Sequence, residues 1–111
     1  MSTVRELVEA DFEQTVFKSG VPVFVDFYGD HCAPCTQMEP AIQDLAREYE
    51  GEVEVYKVNR DKSPLVFEKL GIRGIPMFAL YKDSEQLVSF SGVQSRSVLF
   101  SAIDEALDAA R

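Results

Sequence analysis

Two stretches of this chain, residues 21–28 and 77–81, are apolar at odd and even positions alike. A strand points successive side chains to opposite faces, so a run that is apolar in both parities has to be covered on both sides. Such strands occupy the middle of a sheet with helices packed above and below, and the intervening segments supply those helices. Residues 10–18 carry Phe12, Val16 and Phe17 on one side, with Glu9 or Asp11 near the start and Ser19 and Gly20 as the stop. From Cys32 to just before Gly51, the residues Cys35, Met38, Ile42, Leu45, Ala46 and Tyr49 recur at helical intervals, and Pro40 should kink that long helix. Pro64 is suited to open a short helix, because a first-turn residue needs no amide hydrogen; Leu65, Val66 and Leu70 form its expected buried side and Gly71 its end. A last helix, capped by Ser95, carries Val98, Leu99, Ala102, Ile103, Ala106, Leu107 and Ala110.

The other strands are weaker. Residues 4–8 suggest an edge strand, and residues 53–59 a strand carrying Lys57. Residues 86–91 follow a turn at 82–85 and direct Val88 and Phe90 inward. Two glycines and a proline make residues 71–76 a constrained loop. Strands alternating with helices, closed by a hairpin, imply an α/β fold whose sheet begins parallel and ends antiparallel. At 111 residues, 46% of them hydrophobic, residues 1–111 are expected to form one domain with its own core. The formal charge of -8 disfavours nucleic acid and anionic lipid as partners. No apolar run approaches the roughly 20 residues of a membrane span, and no secretory leader is expected, so a cytoplasmic location follows.

The chemistry is concentrated between Asp26 and Cys35, which include both cysteines and the single histidine. Cys32 and Cys35 fall where a central strand passes into a helix. Unpaired amides and the positive end of the helix dipole favour a thiolate there. A fall in pKa from about 8.5 to about 7 raises the thiolate fraction at neutral pH from a few per cent to roughly half. Cys32 is then the attacking thiol, and Cys35, one turn on, resolves the mixed disulfide. Pro34 stiffens the intervening turn and Ala33 keeps the surface small. Asp26, in an apolar run, reads either as a satisfied buried acid or as the acceptor of the Cys35 proton. Lys57 is its charge partner or an exposed strand lysine. His31 is a solvated loop residue or, protonated, a stabiliser of the thiolate. The cysteine spacing alone also fits half of a zinc or iron-sulfur site; with no second pair in the chain, only a cluster shared between two molecules survives. Pro76 taken by itself would be trans. Residues Glu48, Glu50, Glu52 and Glu54 read as a solvated face.

Val25-Asp26-Phe27 ahead of Cys32-Ala33-Pro34-Cys35, then Pro40, Lys57, Arg73-Gly74-Ile75-Pro76 and Gly92, stand in an order that resembles the thioredoxin family over essentially the full chain. The resemblance implies a five-stranded mixed sheet of order 1-3-2-4-5 flanked by four helices. It implies a dithiol that reduces protein disulfides with no cofactor beyond the Cys32–Cys35 disulfide itself. It also implies a cis Pro76 facing the cysteines, an Ile75 backbone that holds the client, and proton transfer assisted by Asp26 and Lys57. Gly92 matches the apolar rim around the site. The implied partners are client proteins with disulfides and an electron donor of the thioredoxin-reductase type, with the chain a monomer. The chain departs from the family's usual residues at Tyr28, His31, Ala33, Thr36 and Met77, around the dithiol and not in it, and it has no tryptophan. The alternative from another class is a redox-switched binding module on the same scaffold.

Overall fold

The computed structural model describes residues 4–111. Five strands form one sheet: β1 (Arg5–Glu6), β2 (Val23–Tyr28), β3 (Glu54–Asn59), β4 (Met77–Lys82) and β5 (Glu85–Ser91), in the order β1-β3-β2-β4-β5. The β1–β3 and β2–β3 pairs are parallel; β4 runs antiparallel to β2 and to β5. Three α-helices accompany it, α1 (Ala33–Glu48), α2 (Pro64–Leu70) and α3 (Arg96–Ala109). A fourth helical segment precedes β2. The two strands read as central are so, and β2 lies in the middle of the sheet.

Both parities of β2 are buried, each in its own core. Val23, Val25 and Phe27 pack with Phe12, Val16, Val66 and Phe67 on one face. Phe24 packs on the other with Met38, Ile42 and Leu45 of α1, Leu99 and Ile103 of α3, and Phe78 and Leu80 of β4. Asp26 shares the parity of Phe24 and therefore points toward α1.

Residues 10–18 do not form the α-helix their spacing suggests. A 3₁₀ turn at Glu9–Asp11 is followed by a π-helical turn at Glu13–Phe17. The wider turn brings residues five apart onto one side. Phe17 thereby meets Phe12 edge to face at 5.4 Å and Tyr81 at the same centroid distance, an aromatic grouping that a regular α-helix would pull apart.

In α2, Val66 is buried and Leu70 packs against the core as expected, but Phe67 takes the place of Leu65. Leu65 is 66% exposed, whereas Val66 and Phe67 are buried, and Phe67 packs edge-on against Phe27 at 5.5 Å. In β5 the pairing shifts between Leu80, opposite Val88, and Tyr81, opposite Gln86. Leu87 is the extra residue of that bulge, so it joins Val88 against the core although strict alternation would expose it.

The start of α2 is capped from a distance. Pro64 has no amide hydrogen and the Ser63 hydroxyl makes no cap bond. The amides of Leu65 and Val66 instead donate to Glu9 Oε2, at 2.7 and 3.0 Å. A carboxylate there answers both the unpaired amides and the dipole. Glu9→Ala should cost about 1 kcal/mol of stability, the usual worth of a cap; urea unfolding reads this directly, and an unchanged midpoint would show that the contact carries no energy.

Candidate functional site

Tyr28 ends β2, and Gly29, Asp30 and His31 carry the chain into α1. His31 sits at φ 55°, a left-handed conformation that costs a non-glycine residue about 1–2 kcal/mol. That turn points Cys32 back over the end of the sheet, where it becomes the N-cap of α1. The junction is held from below: Asn59, 2% exposed, donates to Asp30 Oδ1 at 3.2 Å and accepts from the Asp61 and Lys62 amides.

Cys32 is half-buried and Cys35, one turn into the helix, is 6% exposed. The two are joined as a disulfide with Cα atoms 5.2 Å apart. The amide of Cys35 donates to Cys32 Sγ at 3.2 Å, and the Thr36 amide to the Cys32 carbonyl at 3.1 Å. An amide aimed at sulfur, together with the dipole of a sixteen-residue helix, favours negative charge on Cys32 once the disulfide is reduced.

A cleft of about 640 Å³ lies behind the pair, bringing Asp26, Tyr28, His31, Cys32, Ala33, Cys35 and Lys57 together. Asp26 is 6% exposed and its Oδ1 has no hydrogen-bond partner among the described residues. Burial raises its pKa from 3.8 to about 7; Lys57 opposes the rise, and Glu39 and Glu6 add to it. Lys57 is the register partner of Asp26 on β3, yet its ammonium lies 5.6 Å from the centre of the Tyr28 ring. The Tyr28 hydroxyl donates to Glu6, and burial followed by that bond raises its pKa to about 12.

Ile75, Pro76 and Gly92 line a separate groove of about 350 Å³, with Arg73 and Met77. The Ile75–Pro76 bond is cis, against the expectation for a proline taken alone and in line with the resemblance. The Gly92 amide donates to the Pro76 carbonyl at 2.8 Å, tying β5 to that loop. Cleft and groove meet at Gly29: a Cβ there would fall 2.6 Å from Ile75 Cδ1, so the missing side chain lets the loop close on the end of β2. Pro34 is exposed and lines neither space.

Sequence reasoning passed over Glu39, Glu6 and Asn59. Glu39 stands four residues after Cys35, so helical spacing already placed it on the cysteine's face. Glu6 carried no such signal, because its position beside Lys57 depends on the pairing of β1 with β3. Among the described residues no three His, Cys, Asp or Glu side chains converge as metal ligands. The redox group is the cysteine pair itself.

The thioredoxin family model matches residues 3–105. Thioredoxin 1 of Synechococcus elongatus is 35% identical over 96% of this chain and its own full length. Thioredoxin of Pseudomonas aeruginosa is 37% identical over 91% of the chain and 94% of its own length. The M-type chloroplastic thioredoxin of Spinacia oleracea is 36% identical over 94% of the chain and 58% of its own length. A disulfide between the N-cap and the first turn of α1, on a sheet of this order and with these relatives, makes the chain a member of the thioredoxin family and a thiol-disulfide oxidoreductase.

Proposed function

We propose that the chain, acting as a single domain and a monomer in the cytoplasm, reduces disulfides of client proteins and is itself restored by a donor of the thioredoxin-reductase type. The observation that carries this reading is the placement of Cys32 at the helix N-terminus, with Cys35 one turn on, both lining the cleft that holds Asp26.

The Cys32 thiolate attacks one sulfur of the client disulfide, forming a mixed disulfide and releasing the other client sulfur as a thiolate, which takes a proton from solvent. Asp26, as carboxylate, accepts the Cys35 proton. The Cys35 thiolate attacks Cys32 Sγ, closing the internal disulfide and expelling the second client thiolate. Two electrons pass to the client, and the donor returns two with two protons. A carboxyl titrating near neutrality is matched to this transfer, because it is free to accept and able to release at the same pH. Lys57 assists by its charge. Ala33, Pro34, Ile75, Pro76 and Gly92 form the client-facing surface, and His31 and Tyr28 modulate the dithiol.

Cys32→Ser should abolish insulin reduction, and Cys35→Ser should trap a covalent complex with a disulfide client, visible as a dithiothreitol-sensitive band. Turnover by Cys32→Ser would end the reading.

Asp26 makes a separate prediction through stability. Its folded pKa, about 7, exceeds the unfolded 3.8, so its contribution is fully present below about pH 4 and is lost as pH rises through 7. Asp26→Asn removes that loss. The variant should gain up to a few kcal/mol on the wild type between pH 4 and pH 8, with resolution of the mixed disulfide slowed at least tenfold at pH 7. Urea midpoints at pH 4, 6 and 8 decide it; parallel curves for the two proteins would refute a proton affinity raised by burial.

A further inference from the structure

The sheet order places three charged residues in one row. Glu6 on β1 is the register partner of Lys57 on β3, and Lys57 is the register partner of Asp26 on β2. Register partners in parallel strands project to the same face, so the row runs carboxylate, ammonium, carboxylate from the edge of the sheet to its middle. Tyr28, two residues beyond Asp26 on the same face of β2, reaches diagonally across this row. Its hydroxyl donates to Glu6 and its ring carries the Lys57 ammonium at 5.6 Å. Among the described residues Lys57 makes neither a hydrogen bond nor an ion pair with Asp26 or with Glu6, its ammonium standing between the two carboxylates' strands, and Asp26 Oδ1 is left unpartnered.

We propose that Glu6 and Tyr28 are positioning residues for Asp26: together they hold the Lys57 ammonium toward β1, so that the carboxyl sharing the cleft with Cys35 has no direct cationic partner. The hydrogen bond fixes the Glu6 charge beside Lys57, and the Tyr28 ring offers the ammonium a second attraction away from Asp26. A Lys57 released from both would settle on the buried carboxylate, where a salt bridge gains more than it does at the exposed edge. The other groups facing Asp26 leave this contest unchanged. Glu39 of α1 is a further anion, β4 presents the uncharged Phe78 opposite it, and the α1 cysteines are joined in the oxidised protein.

The inference rests on the reading of Asp26 as proton acceptor, so its test must not depend on turnover. The Asp26 carboxyl is titrated by carbon-13 NMR in the oxidised full chain, in wild type, Glu6→Gln, Tyr28→Phe and the double variant. Glu6→Gln keeps an acceptor for the Tyr28 hydroxyl and removes the charge; the Asp26 midpoint should fall by about half a pH unit, a roughly threefold loss of proton affinity, in which the direct loss of the Glu6 charge and the release of Lys57 act in the same direction. Tyr28→Phe keeps the ring and frees Glu6 to solvent; the midpoint should fall by the same amount or less. The double variant should fall no further than Glu6→Gln alone, because the tyrosine acts through the glutamate. An unmoved midpoint in either single variant, or additive shifts in the double, overturns the proposal. If the midpoint falls while the pH profile of insulin reduction stays in place, the positioning role stands and the proton-acceptor role of Asp26 fails.

Discussion

A carboxyl on the core-facing side of the central strand is the constraint around which this molecule is arranged. Asp26 lies between Phe24 and Tyr28 on one parity of β2, under α1, at 6% exposure and with an oxygen that no donor among the described residues reaches. Ionising it there is expensive, because solvation is lost and no hydrogen bond replaces it. The protein meets that cost by retaining the proton up to neutrality, at the expense of stability above it. In the proposed exchange, a position that weakens the fold at working pH is a functional expense of the kind that gathers at active sites. The same burial that makes Asp26 a poor structural residue places its proton affinity where thiol exchange has use for it.

The cysteines depend on that arrangement as much as the carboxyl does. β2 delivers the chain to the turn at His31, the turn makes Cys32 an N-cap, and the first helical turn lowers Cys35 toward the cleft that contains Asp26. Each step follows from its predecessor. A strand less completely buried would not fix where its end points, and a helix beginning one residue later would leave Cys32 without the Cys35 amide.

Much of this was legible in the residues. Double-parity apolar runs identified β2 and β4 as central, and the recurrence from Cys35 to Tyr49 gave the buried face of α1. The first helical segment is where the spacing of Phe12, Val16 and Phe17 predicts it, but that spacing also fits an α-helical face, and only the aromatic contacts with Tyr81 select the wider π turn. Leu65 and Phe67 exchanged roles because in a helix of seven residues the phase is decided by which side chain fits against Phe27. The bulge at Leu87 and the cap from Glu9 are tertiary facts: one depends on the partner strand, the other on a residue 56 positions away from Leu65. Asp26, Lys57 and the cysteines were recognisable by type and place. Glu6 was not, since its significance arises only when β1 is laid beside β3.

The site has two spaces, and Gly29 of the cleft abuts Ile75 of the groove. In the proposed exchange protons have the cleft, where Asp26, Lys57 and Glu39 lie. In that exchange the client has the groove, whose walls are Ile75, the cis Pro76 and Gly92. Gly29 is the partition, thin enough that the Ile75 side chain occupies the volume a Cβ would need. The Glu6–Lys57–Asp26 row runs to the cleft from the far edge of the sheet, and none of the three lines the groove. Charge along that row is therefore free to set the proton affinity of the proposed acceptor without altering the surface proposed to meet a client. Side chains at the groove, Met77 and Arg73 among them, are equally free to change the client without moving the proton.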